Sequence, residues 1–214
     1  MEVFCTVLKE RTSMPSSKVE RAAKVFRQHG ETLSMTGALR AGIHRRTLYA
    51  MRDAGTIEQL SRGLYRLVGA PALGNPDLVI VAVKVPKGVI CLISALAYHH
   101  LTTQIPHEVY VAIPRDSEPP RLDYPPIRAF RFSSRAFSEG VETHSVDGTP
   151  VRIYSREKTL ADCFKYRNKL GMDTVLEALR LSKRQGRVST DRLLRYAEVC
   201  RVKKVMQPYL EAVQ

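Results

Sequence analysis

Apolar positions in the first third of the chain recur at helical spacing, in short runs separated by turn residues. Val19, Ala22, Ala23 and Phe26 repeat at three, four and seven residues. That spacing predicts a helix over Lys18 to Gln28, capped by Ser16 or Ser17 and ended at His29-Gly30. Leu33, Ala38, Leu39, Ile43, Leu48 and Met51 then fall where two short helices need inward contacts, with Ala41-Gly42 as the tight turn between them. Thr32 or Ser34 caps the first of the two, and His44 precedes or caps the second, over Arg45 to Ala54. Gly55 permits a left-handed residue at its end. Thr56 to Leu60 and Leu64 to Leu67 flank Ser61-Arg62-Gly63 and predict a small hairpin. A helix, a helix-turn-helix and a hairpin in that order read as a winged helix-turn-helix.

Gly69-Ala70-Pro71-Ala72-Leu73-Gly74-Asn75-Pro76 then reads as a boundary. Beyond it, a helix is expected over Leu78 to Lys84, stopped by Pro86, and another over Ser94 to Leu101 with Leu96 and His100 on one face. Strands are predicted at Glu108 to Ile113 and Ile127 to Phe132. Val141 to Val146 and Thr149 to Tyr154 flank Asp147-Gly148, a type I′ hairpin signal, so a small mixed or antiparallel sheet follows. From Ser155 the pattern is helical. Ser155 caps a helix with Glu157 in its first turn and Leu160, Cys163, Phe164 and Arg167 as its stripe, closing at Leu170-Gly171. Met172, Val175, Leu176 and Leu179 mark the next helix, and Leu193, Leu194, Ala197 and Cys200 one capped by Ser189. The last runs over Val202 to Val213, irregular at Pro208. The expected class is α+β: an arm at 1–15 containing a short VFCTVL strand or ordered segment, a winged helix-turn-helix at 16–70, and a second α/β domain at 71–214 with a small sheet and a helical carboxyl-terminal bundle.

Charge adds a partner to this outline. The 214-residue chain carries a formal +13. Up to Ala70 it has 12 Lys and Arg against 6 Asp and Glu, and from Pro71 onward 22 against 15, so the first third is almost twice as densely basic. Neutralisation of phosphates supplies most non-specific affinity for nucleic acid, and such a balance fits a polyanionic partner. On the third predicted helix, Arg45, Arg46, Tyr49 and Arg52 sit at i, i+1, i+4 and i+7 and share one side. Arg45 and Arg46, at the amino-terminal part, are the expected readers of guanine edges; Tyr49 and Arg52 are expected to position the helix on phosphates. His44 at the helix start and Arg62 at the hairpin tip complete the DNA-binding set. Arg201, Lys203 and Lys204 form a further basic run, by default a solvated face.

Other classes find little support. No apolar run approaches the roughly 20 residues of a membrane helix, and MEVFCTVLKERTS is not a secretory leader, so a cytoplasmic protein without membrane contact is expected. Cys5, Cys91, Cys163 and Cys200 lack paired spacing and read as buried thiols, and adjacent His99-His100 makes a poor metal pair, so neither metal nor cofactor is expected. His99, His100 and His107 stand in no catalytic motif, and Glu157, Asp162 and Asp173 form no paired-acid metal motif. With no phosphate loop, dinucleotide-binding glycine pattern, nucleophile elbow or zinc-protease motif, no catalytic residue is assigned and the chain is not expected to be an enzyme.

The succession RTLYAMRDAGTIEQLSRGLYRL, PKGVICLISALAYHHLTTQIPHEVYVAIPR, the Asp147-Gly148 hairpin and VRIYSREKTLADCFKYRNKLG resembles the AbiE-type (AbiEi family) antitoxins. The resemblance covers roughly Ser16 to Val213 and leaves Met1 to Pro15 outside. It implies an amino-terminal winged helix that represses its own promoter through inverted repeats, and a carboxyl-terminal antitoxin domain. It also implies a functional partner, a nucleotidyltransferase-like toxin encoded alongside, in a type IV toxin–antitoxin (abortive-infection, phage-defence) system. Direct contact with that toxin, and self-association on DNA, stay open. The DNA contacts carry over onto Arg45, Arg46, Tyr49, Arg52 and Arg62. Lys158 and Asp162, in the SREKTLADCF block, are the positions most characteristic of the family and the candidates for the antitoxin domain; holding that domain together is the other role open to them. The competing reading is a one-component winged-helix regulator whose second domain senses a small molecule.

Overall fold

The structure, a computed structural model, describes residues 16–212, so the expectations for the arm at 1–15 and for Cys5 lie outside the described residues. Its contacts divide the chain between Ala72 and Leu73 into two compact units.

The first unit runs α1 (Ser16–Gln28), β1 (Thr32–Ser34), α2 (Met35–Arg40), α3 (Arg45–Asp53), β2 (Ile57–Ser61) and β3 (Leu64–Leu67). α1 starts at Ser16, so both serines expected as caps belong to the helix. Ser34 caps α2, its hydroxyl accepting the Gly37 N–H at 2.9 Å. Thr32 is committed elsewhere, in β1, a strand whose three residues show no readable alternation. Pairing with β3 defines it, Thr32 to Arg66, Leu33 to Tyr65 and Ser34 to Leu64, giving a three-stranded sheet of order β1-β3-β2. The Gly63 carbonyl accepts the Met35 N–H at 2.8 Å and pins the β2–β3 turn to the start of α2.

Phe26, Leu33, Ala38, Ile43, Leu48, Met51, Ile57 and Leu67 form the core behind these elements. Leu39, expected inside, is 39% exposed. A six-residue helix turns only one face inward, and Ala38, about 100° from Leu39, takes it. Arg66 departs the other way. It is buried in the central strand, donates to the Pro71 carbonyl, and is lost to the surface charge.

In the second unit, α4 (Pro76–Lys84), β4 (Val89–Ile90) and α5 (Leu92–Tyr98) precede β5 (Val109–Pro114), β6 (Ile127–Phe132), α6 (Ser134–Ser138), β7 (Val141–Val146) and β8 (Thr149–Tyr154). Then come α7 (Arg156–Lys165), α8 (Arg167–Leu170), α9 (Met172–Gln185), α10 (Thr190–Val199) and α11 (Lys203–Ala212). The five-stranded sheet has the order β6-β5-β4-β8-β7. Its pairings alternate, β5–β6 and β4–β8 parallel, β4–β5 and β7–β8 antiparallel, so it is mixed. The central strand β4 is only two residues long, too short to carry a periodicity. Asp147 (φ 48°) and Gly148 (φ 77°) both take the positive φ that a type I′ turn requires.

Alternation along the strands separates two cores. Val109, Val111, Ile113, Val151 and Ile153 join Leu78, Val79 and Val81 of α4 on one face. Ala112, Phe130, Phe132 and Tyr154 join Leu160, Phe164, Val175, Leu193 and Met206 on the other. Several expected positions move. α5 begins at Leu92 and stops at Tyr98, leaving His100 at φ 58° outside the helix and breaking the Leu96–His100 face. α7 ends before Tyr166, so Arg167 opens α8 instead of extending the stripe. Leu176 and Leu194 are half-buried, while Ala178 and Tyr196 occupy the inner positions. Among the described residues no helix is long and apolar enough to cross a membrane, and no group of three or more potential ligands could hold a metal ion.

Candidate functional site

α3 is built to present its outer side. His44 is its N-cap, with Nδ1 accepting the Arg46 backbone N–H at 3.2 Å, and Thr47, Leu48 and Met51 bury the opposite side. Arg45, Arg46, Tyr49 and Arg52 are all exposed, Tyr49 at 38%. The Arg52 guanidinium lies over the Tyr49 ring, 5.1 Å from its centroid, and donates through Nη2 and Nε to Asp53 Oδ1 at 2.8 and 3.0 Å. The Asp53 hydrogen bond and charge hold that guanidinium above its ordinary pKa. The stretch is therefore less purely cationic than its arginines suggest: Arg45 and Arg46 keep their charge facing outward, whereas Arg52 shares its with a neighbour. Arg62 is exposed at the β2–β3 turn.

Two cations of α1 belong to the same surface and escaped the sequence reading. Lys18 and Arg21 line a groove with His44 and Arg46. Their spacing of three along α1 was the available signal, but nothing in the sequence says that α1 runs beside the start of α3.

Lys158 and Asp162 lie together in the core of the second unit, both side chains 0% exposed. One turn of α7 brings Nζ to 2.5 Å from Asp162 Oδ2. The ammonium sits 4.2 Å from the Tyr154 ring centroid and 4.9 Å from that of Phe132, and the Cys200 thiol donates to Asp162 Oδ1 at 3.1 Å. Burial pushes the Asp162 carboxyl up, against the opposing pull of Lys158 and the thiol. Gly140 (φ 76°) closes the site, where an added Cβ would come within 2.6 Å of Lys158 Cβ. Glu157, expected in the first turn of the helix, accepts the Ser189 N–H at 3.2 Å and lies 3.5 Å from Arg192, which ties α7 to α10. In this conformation the pair presents no surface that a partner could touch. The buried thiols Cys91, Cys163 and Cys200 are free, and burial pushes each of them up, away from the reactive thiolate.

Residues 20–68 match the family model described as transcriptional regulator, AbiEi antitoxin. The AbiEi match runs from α1 through β3, which includes all of the α3 face and leaves Lys158 and Asp162 outside. No protein of the curated collection matches the chain. Among solved structures, the crystal structure of the RV2827C protein from Mycobacterium tuberculosis is similar, with a TM-score of 0.55 and 14% identity. It covers 86% of this chain and 72% of its own length, so the likeness reaches past the AbiEi match into the second unit, as a likeness of fold alone.

Outside the AbiEi match, the three histidines that stand in no catalytic motif differ in burial. His100 and His107 are exposed, and buried His99 hydrogen-bonds through Nε2 to the Tyr154 carbonyl at 2.7 Å. Burial pushes His99 below its ordinary 6.5, with Arg156 and His144 adding to the shift, and the bond to Tyr154 and the charge of Glu142 opposing it. A lowered folded-state pKa means that the unfolded chain takes the proton more readily. The stabilisation from His99 is thus complete above about 6.5 and is lost as the pH falls through the lowered value. The melting temperature is expected to drop between pH 7.5 and pH 5.5, and His99→Gln, which keeps a donor for Tyr154, to flatten that drop. An equally steep profile in the variant would remove His99 as the cause.

Proposed function

We propose that this chain is an antitoxin-type transcriptional regulator. Its first unit acts as a winged helix-turn-helix, with α3 as the recognition helix and the β2–β3 turn as the wing. In this reading α3 enters the major groove at inverted repeats in the chain's own promoter. The second unit counteracts a nucleotidyltransferase-like toxin encoded beside it, as in type IV systems, and no catalytic step is assigned. The observation that carries the reading is the outer face of α3: Arg45, Arg46 and Tyr49 exposed on a helix whose start is capped and whose back is fully packed. Arginine near the start of a helix in the groove is the common reader of guanine. The AbiEi match over 20–68 supports the regulator class.

The test has two arms. The intact chain is titrated against a duplex from upstream of its own gene and a shuffled duplex, and tighter binding to the first by a factor of about 10³ or more is expected. Co-expression with the product of the adjacent reading frame is expected to relieve growth inhibition. Equal affinity for both duplexes, or growth arrest that persists, would reject the corresponding half.

A second reading draws on one cavity. A pocket of about 400 Å³ in the second unit, lined in part by Asn75, Ser94, Tyr98, Thr102 and Gln104, has room for a small molecule. A ligand-dependent change in operator affinity without toxin rescue would favour that sensor over the antitoxin.

A further inference from the structure

The groove between α1 and the start of α3 has an open volume of about 440 Å³ and is lined by Lys18, Arg21, His44, Arg46 and Thr47 together with small and apolar residues, and among the described residues no acid lines it. We infer that this groove seats the phosphodiester backbone of the bound duplex, with Lys18 and Arg21 of α1 as phosphate-contacting residues that carry no sequence preference. The inference rests on the DNA-binding reading above and adds a site to it.

Three observations converge. Lys18 and Arg21 are exposed and, at i and i+3, lie on one side of α1, where Ala22 and Val25 line the same groove, while Phe26 is buried in the core. Arg21 Nε bonds back to the Ser17 carbonyl at 3.1 Å, which orders the side chain without cancelling its charge. His44 is oriented by its cap hydrogen bond. Since His44 Nδ1 accepts from the Arg46 N–H, the neutral ring carries its proton on Nε2, leaving a donor and no free acceptor on the exposed residue. Three cations and the His44 donor, with no acid beside them among the described residues, suit an anionic ligand that offers acceptors, as a phosphate oxygen does. Arg46 stands in both places, on the outer face of α3 and in the groove lining, so the groove continues the recognition surface. The neighbouring Arg52 contrasts with this set, because Asp53 already occupies its guanidinium.

A base-reading residue and a phosphate-holding residue differ in what their loss changes. Removing a phosphate contact weakens binding to every sequence alike and lowers the salt dependence by about one unit of slope per cation. The experiment measures affinity of the intact chain for the upstream duplex and for the shuffled duplex at salt concentrations from 50 to 200 mM. For Lys18→Gln with Arg21→Gln, the expected result is a loss of roughly tenfold or more on both duplexes, in equal proportion, and a slope shallower by about two. Arg21→Lys, which keeps a point charge, is expected to retain the slope. An unchanged melting temperature shows that the exposed substitutions leave the fold alone. An unchanged slope, or a loss confined to the upstream duplex, would overturn the inference while the DNA-binding reading stood. If the unsubstituted chain binds neither duplex, that reading falls and takes this site with it.

Discussion

Alanine at both Arg45 and Arg46 is expected to remove most of the preference for the upstream duplex while the chain stays folded. The two arginines occupy the first turn of α3, exposed, and the cap that starts the helix is the His44 ring on the Arg46 backbone N–H, which alanine keeps. Alanine is the best helix former, and taking positive charge from a helix amino terminus does not cost stability. Each bidentate arginine–guanine pair contributes about 1–3 kcal/mol of discrimination, so losing two should narrow the preference for the upstream duplex by about thirtyfold at least. Single variants separate the pair. Arg46 also lines the groove beside Lys18 and Arg21, so Arg46→Ala should additionally weaken binding to the shuffled duplex, whereas Arg45→Ala should lower the preference with little change in non-specific affinity. Competition titrations read both effects. A double variant that still prefers the upstream duplex at full strength would sink the assignment of base readout to the start of α3.

Lys158→Met is expected to destabilise the chain by about 3–5 kcal/mol, the usual cost of removing one partner from a buried ion pair. The reason is the environment of Asp162, which has no exposed surface and, among the described residues, would retain the Cys200 thiol as its side-chain hydrogen-bond partner. Its carboxyl, already pushed up by burial, would rise further and take a proton. Adding Asp162→Val removes the orphaned charge and is expected to recover most of the loss, as apolar replacements of whole buried pairs often do. Urea denaturation of both variants measures this, and a loss below about 1 kcal/mol in Lys158→Met would contradict the picture of a tight buried pair. The double variant also decides between two roles. If these residues serve antitoxin activity by holding α7 in place, the restabilised protein should still relieve toxicity in co-expression. If it folds and fails to, Lys158 or Asp162 acts on the partner in another conformation.

These expectations differ in how far the amino-acid sequence alone supports them. The outward set on α3 was legible because helical period, a capping residue and a following Gly55 all agree over one nine-residue segment. The Asp147-Gly148 hairpin was legible for a similar reason, since few residue pairs accept two consecutive positive φ angles. Lys158 and Asp162 could be picked out as a pair one turn apart, but not located. The same i, i+4 spacing serves a solvated surface pair and a buried one, and only the aromatic faces of Tyr154 and Phe132, from strands 4 and 26 residues upstream of Lys158, decide between them.

Local chemistry, then, determined where this chain turns, where its helices start, and which side of α3 carries arginine, because those outcomes depend on residues a few positions apart. The tertiary structure alone decided the rest. β1 and β4, of three and two residues, are strands only because β3, β5 and β8 pair with them, and such short segments carry no periodicity of their own. Arg66 leaves the basic surface because the middle strand of a three-stranded sheet buries it. Lys18 and Arg21 join Arg46 because packing sets α1 beside the start of α3, more than twenty residues further along the chain. Burial and proximity are properties of contacts between distant segments, and no window along the sequence contains both partners.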